Sequence, residues 1–410
     1  MGMVWPSRYA ARMEHMTSSI IRELLTFTQR PEVISFAGGL PAAEYFPTQR
    51  VQEACTKVLA QQSEYALQYG PTEGYLPLRE MIVDWMCANN DLCITPDNVL
   101  ITSGSQQALS MLGALFINPS DRILVEQPTY MGAIQAFTLF QAAYAGVPTD
   151  EHGICTDQIP DALRQDPKFM YILPNFQNPA GVTISRQRRL DLVQISRSSG
   201  VPIVEDDPYG ALRYEGDDLP SIITLDVEPV AQNGHSYNGN VIYLSTFSKT
   251  LTPGLRVAWI VAPKAVIDRL VQIKQSMDLH TSTFNQMVVY ETARDGFIED
   301  HVQTLRQVYR KRRDAMLGAL DRWAPPDVTW TEPEGGLFLW MKLPEGSDDK
   351  DVFKAAIAQN VAFVPGSAFF TSDPQPTARL NFSCMPEDRI EEGIQRLCNV
   401  IREGQTLPTS

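Results

Sequence analysis

The chain has 410 residues, 44% of them hydrophobic, enough to bury the core of two domains or of one large domain with an appendage. A formal net charge of −14 argues against a nucleic-acid-binding surface as its main business, because neutralising phosphates takes a clustered positive field. Six cysteines without a CxxC pair and five histidines without metal-ligand spacing suggest neither a metal site nor a disulfide framework, and no apolar run is long enough to span a membrane, so a reducing, cytoplasmic home is expected.

In chain order, the opening MGMVWPSRYAARMEHM has no apolar leader segment, and TSSIIRELLTFTQ (17–29) reads as a helix carrying Arg22. A Gly38–Gly39–Leu40–Pro41 turn follows. NVLITSG then reads as a strand running into the helix SQQALSMLGALFI. DRILVEQ, KFMYILP, VPIVEDD, VIYLSTF and RVAWIVAP read as further short apolar strands, with helices between several of them, such as SRQRRLDLVQISRSSG capped by Gly200. Near-continuously apolar strands separated by helices imply a mainly parallel sheet covered on both faces, so the predicted class is α/β. From about Ile298 the pattern changes to a long helix (298–323), a strand pair around VTWTEPEGGLFLWMKLP, a helix, the short strand VAFVP, the strand ARLNFS and a last helix. These elements predict a smaller α+β domain over 298–410, a large domain over 46–297, and an N-terminal arm over 1–45 packing near the site and the smaller domain.

Polar residues gather at the C-terminal ends of the strands, where open α/β sheets bind ligands. After KFMYILP comes NFQNPAG with Asn178, after VPIVE come Asp206 and Tyr209, and after VIYLSTFS comes Lys249. A lysine at the end of a buried strand has its charged form disfavoured, which makes its amine a nucleophile suited to Schiff-base chemistry. A carboxylate can keep a pyridine nitrogen protonated, while Asn178 and Tyr209 can hydrogen-bond a phenolic oxygen. TSGSQQA places Ser105 and Gln106 at a helix N-terminus, a seat for phosphate, and Thr246, Ser248 and Arg256 can add hydroxyls and charge. Each piece alone also reads as ordinary structure: a helix cap, a turn acid, an Asn-Pro turn, a lysine snorkelling to water, a tyrosine (Tyr130) under a loop. Their order and spacing carry the reading.

Together SFAGGLP, ALQYGPTEGYLPLRE, TSGSQQAL, EQPTYMGAIQAF, FQNPAG, VEDDPYG, STFSKTLTPGLRVAW, PEGGLFLW and ARLNFS resemble the fold-type I, pyridoxal-phosphate-dependent aminotransferases of class I and II over nearly the whole chain, most closely the 2-aminoadipate and kynurenine aminotransferase group. The resemblance implies a large domain with a mainly parallel seven-stranded sheet and a smaller α+β domain. It implies a Schiff base between pyridoxal 5′-phosphate and Lys249, which also serves as general base and acid. Asp206 would hold the pyridine nitrogen, Tyr209 and Asn178 the phenolic oxygen, and Tyr130 would stack on the ring. Ser105, Gln106, Thr246, Ser248 and Arg256 would hold the phosphate. Tyr69 would reach the phosphate of a neighbouring subunit, implying a homodimer with shared active sites. Arg379 would bind the substrate α-carboxylate, helped by Asn178 and the Gly38–Gly39 backbone. Two positions depart from the pattern: Thr246 stands where serine is common, and Ala180 replaces a threonine of the Asn-Pro-Thr-Gly turn.

The expected partners are therefore small molecules, an amino acid and a 2-oxo acid, with no nucleic acid and no membrane. Arg22 matches an arginine that meets a distal carboxylate in 2-aminoadipate enzymes, which points to glutamate and 2-oxoglutarate as an amino donor and product pair. Two rival functions share the fold: another reaction on the same cofactor, such as decarboxylation, elimination or cyclisation, and a cofactor-sensing regulator domain. The second is opposed by the acidic charge and by a family-like region that begins within the first few tens of residues, leaving no room for a DNA-binding module.

Overall fold

The computed structural model describes residues 5–16, 30, 32–88, 92–227 and 237–406. The strands are β1 (Ile34–Ser35), β2 (Val99–Thr102), β3 (Arg122–Gln127), β4 (Ala143–Asp150), β5 (Gly153–Ile154), β6 (Met170–Ile172), β7 (Ile203–Asp206), β8 (Val241–Thr246), β9 (Ala258–Val261), β10 (Thr329–Trp330), β11 (Phe338–Lys342), β12 (Val361–Ala362), β13 (Val364–Pro365) and β14 (Thr377–Asn381). A central sheet runs β2-β9-β8-β7-β6-β3-β4-β5. Strands β4, β3, β6, β7 and β8 pair in parallel, and β9 lies antiparallel between β8 and β2. The expected seven strands are present; the eighth is the two-residue β5, folded back on the end of β4. The sequence reading passed over β4, whose Gly146 and Pro148 interrupt its apolar pattern. Proline survives there because β4 lies next to the sheet's edge.

Alternation along each strand sends successive side chains to opposite faces, and both faces are buried. Ile101, Leu124, Met170, Ile203 and Trp259 pack on one face, and Leu100, Val125, Tyr171, Val204 and Ile260 on the other. The helix Ser105–Phe116 covers the second face with Leu109 and Leu112. The helix Arg186–Ser199 begins at Ser185, whose Oγ accepts the Arg188 N–H, and ends at the left-handed Gly200 (φ 74°), as its sequence predicts.

A second sheet, β10-β11-β14-β13, is packed by the helices Phe297–Trp323 and Glu387–Thr406 through Tyr309, Leu320, Leu339, Leu380, Ile394 and Leu397. The predicted single strand VAFVP divides at Phe363: β12 pairs with β1 of the N-terminal segment, while β13 pairs with β14. Phe36 is buried in the same core, and the Ala42 N–H donates to Tyr309 Oη at 3.0 Å, so this segment lies against the second sheet's core. The helix expected over 17–29, with Arg22, lies outside the described residues. Among the described residues no helix is long and apolar enough to cross a membrane.

Candidate active site

A cavity of about 270 Å³ opens at the C-terminal ends of β6, β7 and β8. It is lined by Gly39, Ser105, Gln106, Tyr130, Asn178, Asp206, Tyr209, Thr246, Ser248, Lys249, Arg256 and Arg379, which gathers the predicted site residues except Tyr69 and Arg22. Tyr69 is 79% exposed, with its ring edge-on to His280.

The loop carrying Asn178 is held from below by Arg189, a fully buried residue of the helix Arg186–Ser199. Its guanidinium donates to the carbonyls of Ile184, Pro220 and Pro174 and to Asn175 Oδ1. Ala180, where a threonine was expected, leaves the turn fastened by backbone: its N–H donates to Gln177 Oε1 at 2.9 Å and its carbonyl accepts from Thr331 Oγ1 at 2.8 Å. The departure costs no contact that the turn depends on.

One end of the cavity is an anion seat. Gly104, with φ 84°, caps the helix Ser105–Phe116, and the buried Ser105 Oγ has no hydrogen-bond partner. The guanidinium of Arg256 lies so close to Gly104 that a side-chain Cβ there would land on Nη2. Arg256 itself holds a left-handed backbone (φ 54°), which a non-glycine residue adopts at a cost repaid by its surroundings. Thr246 and Ser248 hydroxyls, 2.9 Å apart, complete this end. Free helix N–H groups, a hydroxyl and a guanidinium suit a phosphate dianion.

At the middle, Asp206 is 3% exposed. Its Oδ2 accepts the Tyr171 hydroxyl at 2.7 Å, while Oδ1 has no partner. Burial pushes its pKa up to about 7, the Tyr171 hydrogen bond opposes that rise, and the neighbouring Asp207 adds to it. A protonated ring nitrogen would supply both the missing hydrogen bond and the missing positive charge. Lys249 Nζ donates to the Gly39 carbonyl at 2.8 Å. Burial, with repulsion from Arg379 and Arg256, lowers its pKa to about 8 although Cys384 opposes the shift. Burial likewise raises the pKa of Tyr209, a rise that the Asn178 side chain opposes.

The far end is a second, carboxylate-sized cationic seat. Arg379 on β14 is 1% exposed and donates from Nη1 to Asn178 Oδ1 at 2.9 Å and from Nη2 to the Ala37 carbonyl at 2.6 Å. Its Cζ lies 4.3 Å from the ring centroid of Phe338 and 5.1 Å from that of Phe369. Burial lowers its pKa to about 10, which still leaves it cationic at neutral pH.

Sequence reasoning missed Tyr171, Phe338 and Phe369. Tyr171 carries the one signal that was available, a hydroxyl within an otherwise apolar strand whose buried end must find a partner. The two phenylalanines read only as core. The unpartnered Asp206 Oδ1 and Ser105 Oγ, the lysine with a lowered pKa and the anion seat beside them fit pyridoxal 5′-phosphate: Lys249 would hold its aldehyde carbon, Asp206 its ring nitrogen, and Ser105 with Arg256 its phosphate.

Comparison with known proteins agrees. The profile of the family described as aminotransferase class I and II matches residues 32–397. The aromatic-amino-acid aminotransferase 1 of Thermococcus litoralis is 44% identical over 395 residues, covering 95% of this chain and 92% of the relative. The 2-aminoadipate transaminase of Thermus thermophilus is 43% identical over 400 residues, covering 97% of each. Among solved structures, the α-aminoadipate aminotransferase of Thermus thermophilus in complex with N-(5′-phosphopyridoxyl)-L-leucine superposes with a TM-score of 0.89 at 40% identity, covering 98% of this chain and 99% of that one. The chain thus belongs to the class I and II aminotransferases, which use pyridoxal 5′-phosphate to transfer amino groups.

Proposed function

We propose that this aminotransferase moves the amino group of 2-aminoadipate, glutamate, leucine, methionine or an aromatic L-amino acid to a 2-oxo acid, with 2-oxoglutarate as the general acceptor. The observation that carries the reading is the placement of Lys249 between Arg379 and the phosphate-sized seat at Ser105 and Arg256. When bound, pyridoxal 5′-phosphate supplies an aldehyde that condenses with amines and a ring that draws electron density from the substrate Cα. Arg379 and Asn178 would grip the substrate α-carboxylate and so fix its orientation in the cavity. Lys249 Nζ, neutral in an appreciable fraction near pH 8, would take the proton from the substrate Cα and hold it as an ammonium. Tyr209 would donate its hydroxyl to the cofactor's phenolic oxygen, with Asn178 lining the same cavity. Asp206 would hold the ring nitrogen.

Substrate range follows from relatives named for aromatic amino acids and for 2-aminoadipate. Arg22 is assigned the distal carboxylate of acidic substrates, on the strength of its place in the sequence. The residues 298–410 are read as a smaller domain that carries Arg379, and the protein as a cytoplasmic homodimer. In favour of the dimer are the exposed Leu67 and Tyr69, at 71% and 79%, together with the exposed Met277, which ends a helix, and Leu279, next in the chain to the His280 that meets the Tyr69 ring. Tyr69 of one subunit would then reach the cofactor of the other.

Single half-reactions followed by absorbance test the reading. The purified protein should lose its Schiff-base band on addition of glutamate, 2-aminoadipate, leucine or phenylalanine, gain the amine-form band, and recover on addition of 2-oxoglutarate. A yellow protein whose spectrum never cycles between the two forms would refute transamination in favour of another reaction on this cofactor.

A further inference from the structure

We propose that Tyr171 is a positioning residue: its hydroxyl, bound to one oxygen of Asp206, favours the carboxylate form and turns its other oxygen toward the ring nitrogen of the cofactor. The inference rests on the reading that Asp206 pairs with that nitrogen.

The backbone decides which side chain can do this. Strands β6 and β7 run parallel with Tyr171 opposite Val204 and Ile172 opposite Glu205. Asp206 lies two residues beyond Val204, so it shares a face with Tyr171 and is its diagonal neighbour. A short side chain at 171 would not span that diagonal; a phenol does, and its oxygen reaches Asp206 Oδ2 at 2.7 Å. Phenylalanine would fill the same space and leave Oδ2 without a donor.

The ring is not free to leave. Tyr171 is fully buried, and Phe137 meets it edge-on with centroids 5.8 Å apart. Asp206 is almost as deeply buried, and among the described residues nothing donates to its Oδ1. A carboxylate with one oxygen satisfied by the protein and one left open has a single direction in which to accept a further hydrogen bond. Burial and the charge of Asp207 both favour its neutral form, and among its neighbours Tyr171 is the group that opposes them. The hydroxyl therefore favours the acceptor form of Asp206 before any cation arrives.

The test compares two ligands on three proteins. Dissociation constants for pyridoxal 5′-phosphate and for its 1-deaza analogue, with carbon in place of the ring nitrogen, are measured for wild type, Tyr171→Phe and Asp206→Asn. Removing a hydrogen bond to a buried charge should weaken pyridoxal 5′-phosphate binding roughly ten- to hundredfold in Tyr171→Phe. Binding of the analogue, which cannot use Asp206, should stay within threefold of wild type, and this also reports an intact pocket. The signal of a ¹⁵N-labelled ring nitrogen should move toward the unprotonated position in Tyr171→Phe. Equal losses for the two ligands, or no loss with an unmoved nitrogen signal, would overturn the proposal. If Asp206→Asn keeps the wild-type preference for the natural cofactor over the analogue, the reading of Asp206 itself fails. If Asp206→Asn loses that preference and Tyr171→Phe does not, the role of Tyr171 alone fails.

Discussion

Replacing Arg379 by lysine keeps the charge and removes the geometry. The guanidinium is fully buried, uses one amino group on Asn178 Oδ1 and the other on the Ala37 carbonyl, and lies over the rings of Phe338 and Phe369. A lysine ammonium is a point donor that cannot hold both protein acceptors and grip a carboxylate with two parallel bonds. One lost hydrogen bond to a charged group is worth about 1.5–3 kcal/mol, and a desolvated cation held against aromatic faces about 1–2 kcal/mol. Part of this is regained by the new amine, so a net loss of about 3–4 kcal/mol is expected in the transition state. At about 1.4 kcal/mol per factor of ten, kcat/KM for α-amino acids should fall roughly 100- to 1000-fold in Arg379→Lys. The assay is the single-turnover half-reaction with glutamate and with leucine, beside a primary amine that lacks a carboxylate. The amine's slow reaction should change less than threefold, because the lost contact is one it never made. A variant within threefold of wild type on both amino acids, or one that loses equally on the amine, would refute this role for Arg379.

Two further outcomes follow from the site. The apoprotein should capture pyridoxal 5′-phosphate at a rate that rises with pH and levels off above about 8, since Lys249, with its pKa lowered chiefly by burial, becomes a neutral nucleophile there; an unshifted lysine would be neutral in only about one molecule in three hundred at that pH, and a rate still climbing through pH 10 would show that the pKa is not lowered. Gly104→Ala puts a Cβ on the Arg256 guanidinium at a position with φ 84°, so affinity for pyridoxal 5′-phosphate should fall at least roughly tenfold and the folded protein should lose about 1 kcal/mol or more, while affinity for pyridoxal without phosphate stays the same. Equal losses for the two ligands in an equilibrium titration would remove Arg256 from the phosphate seat.

Much of this protein was legible in its sequence because the information is local. Strands such as Ile203–Asp206 and Val241–Thr246 open on consecutive apolar residues without alternation, which marks them as buried on both faces, and each ends in polar residues, as expected where the sheet's edge binds something. The order Asn178, Asp206, Tyr209, Lys249, Arg256, with TSGSQQA before it, was enough to name the chemistry. The strand β4 was hidden by its own glycine and proline, and the division at Phe363 by the fact that one short apolar run serves two sheets.

Only the tertiary structure decided what each of those residues touches. Lys249 donates to a carbonyl 210 residues away and Arg379 to one 342 residues away, separations at which no periodicity in the sequence survives. Tyr171 meets Asp206 because two strands pair in one register, and a shift by a single residue would send that hydroxyl to the other face of the sheet. Phe338 and Phe369 lie against Arg379 because a buried guanidinium must be surrounded by something, and packing rather than pattern chose two aromatic rings. The sequence determined which chemical groups are available, since that is written in side chains and short-range periodicity; the structure determined which of them meet, since in a close-packed interior every long-range contact depends on all the others.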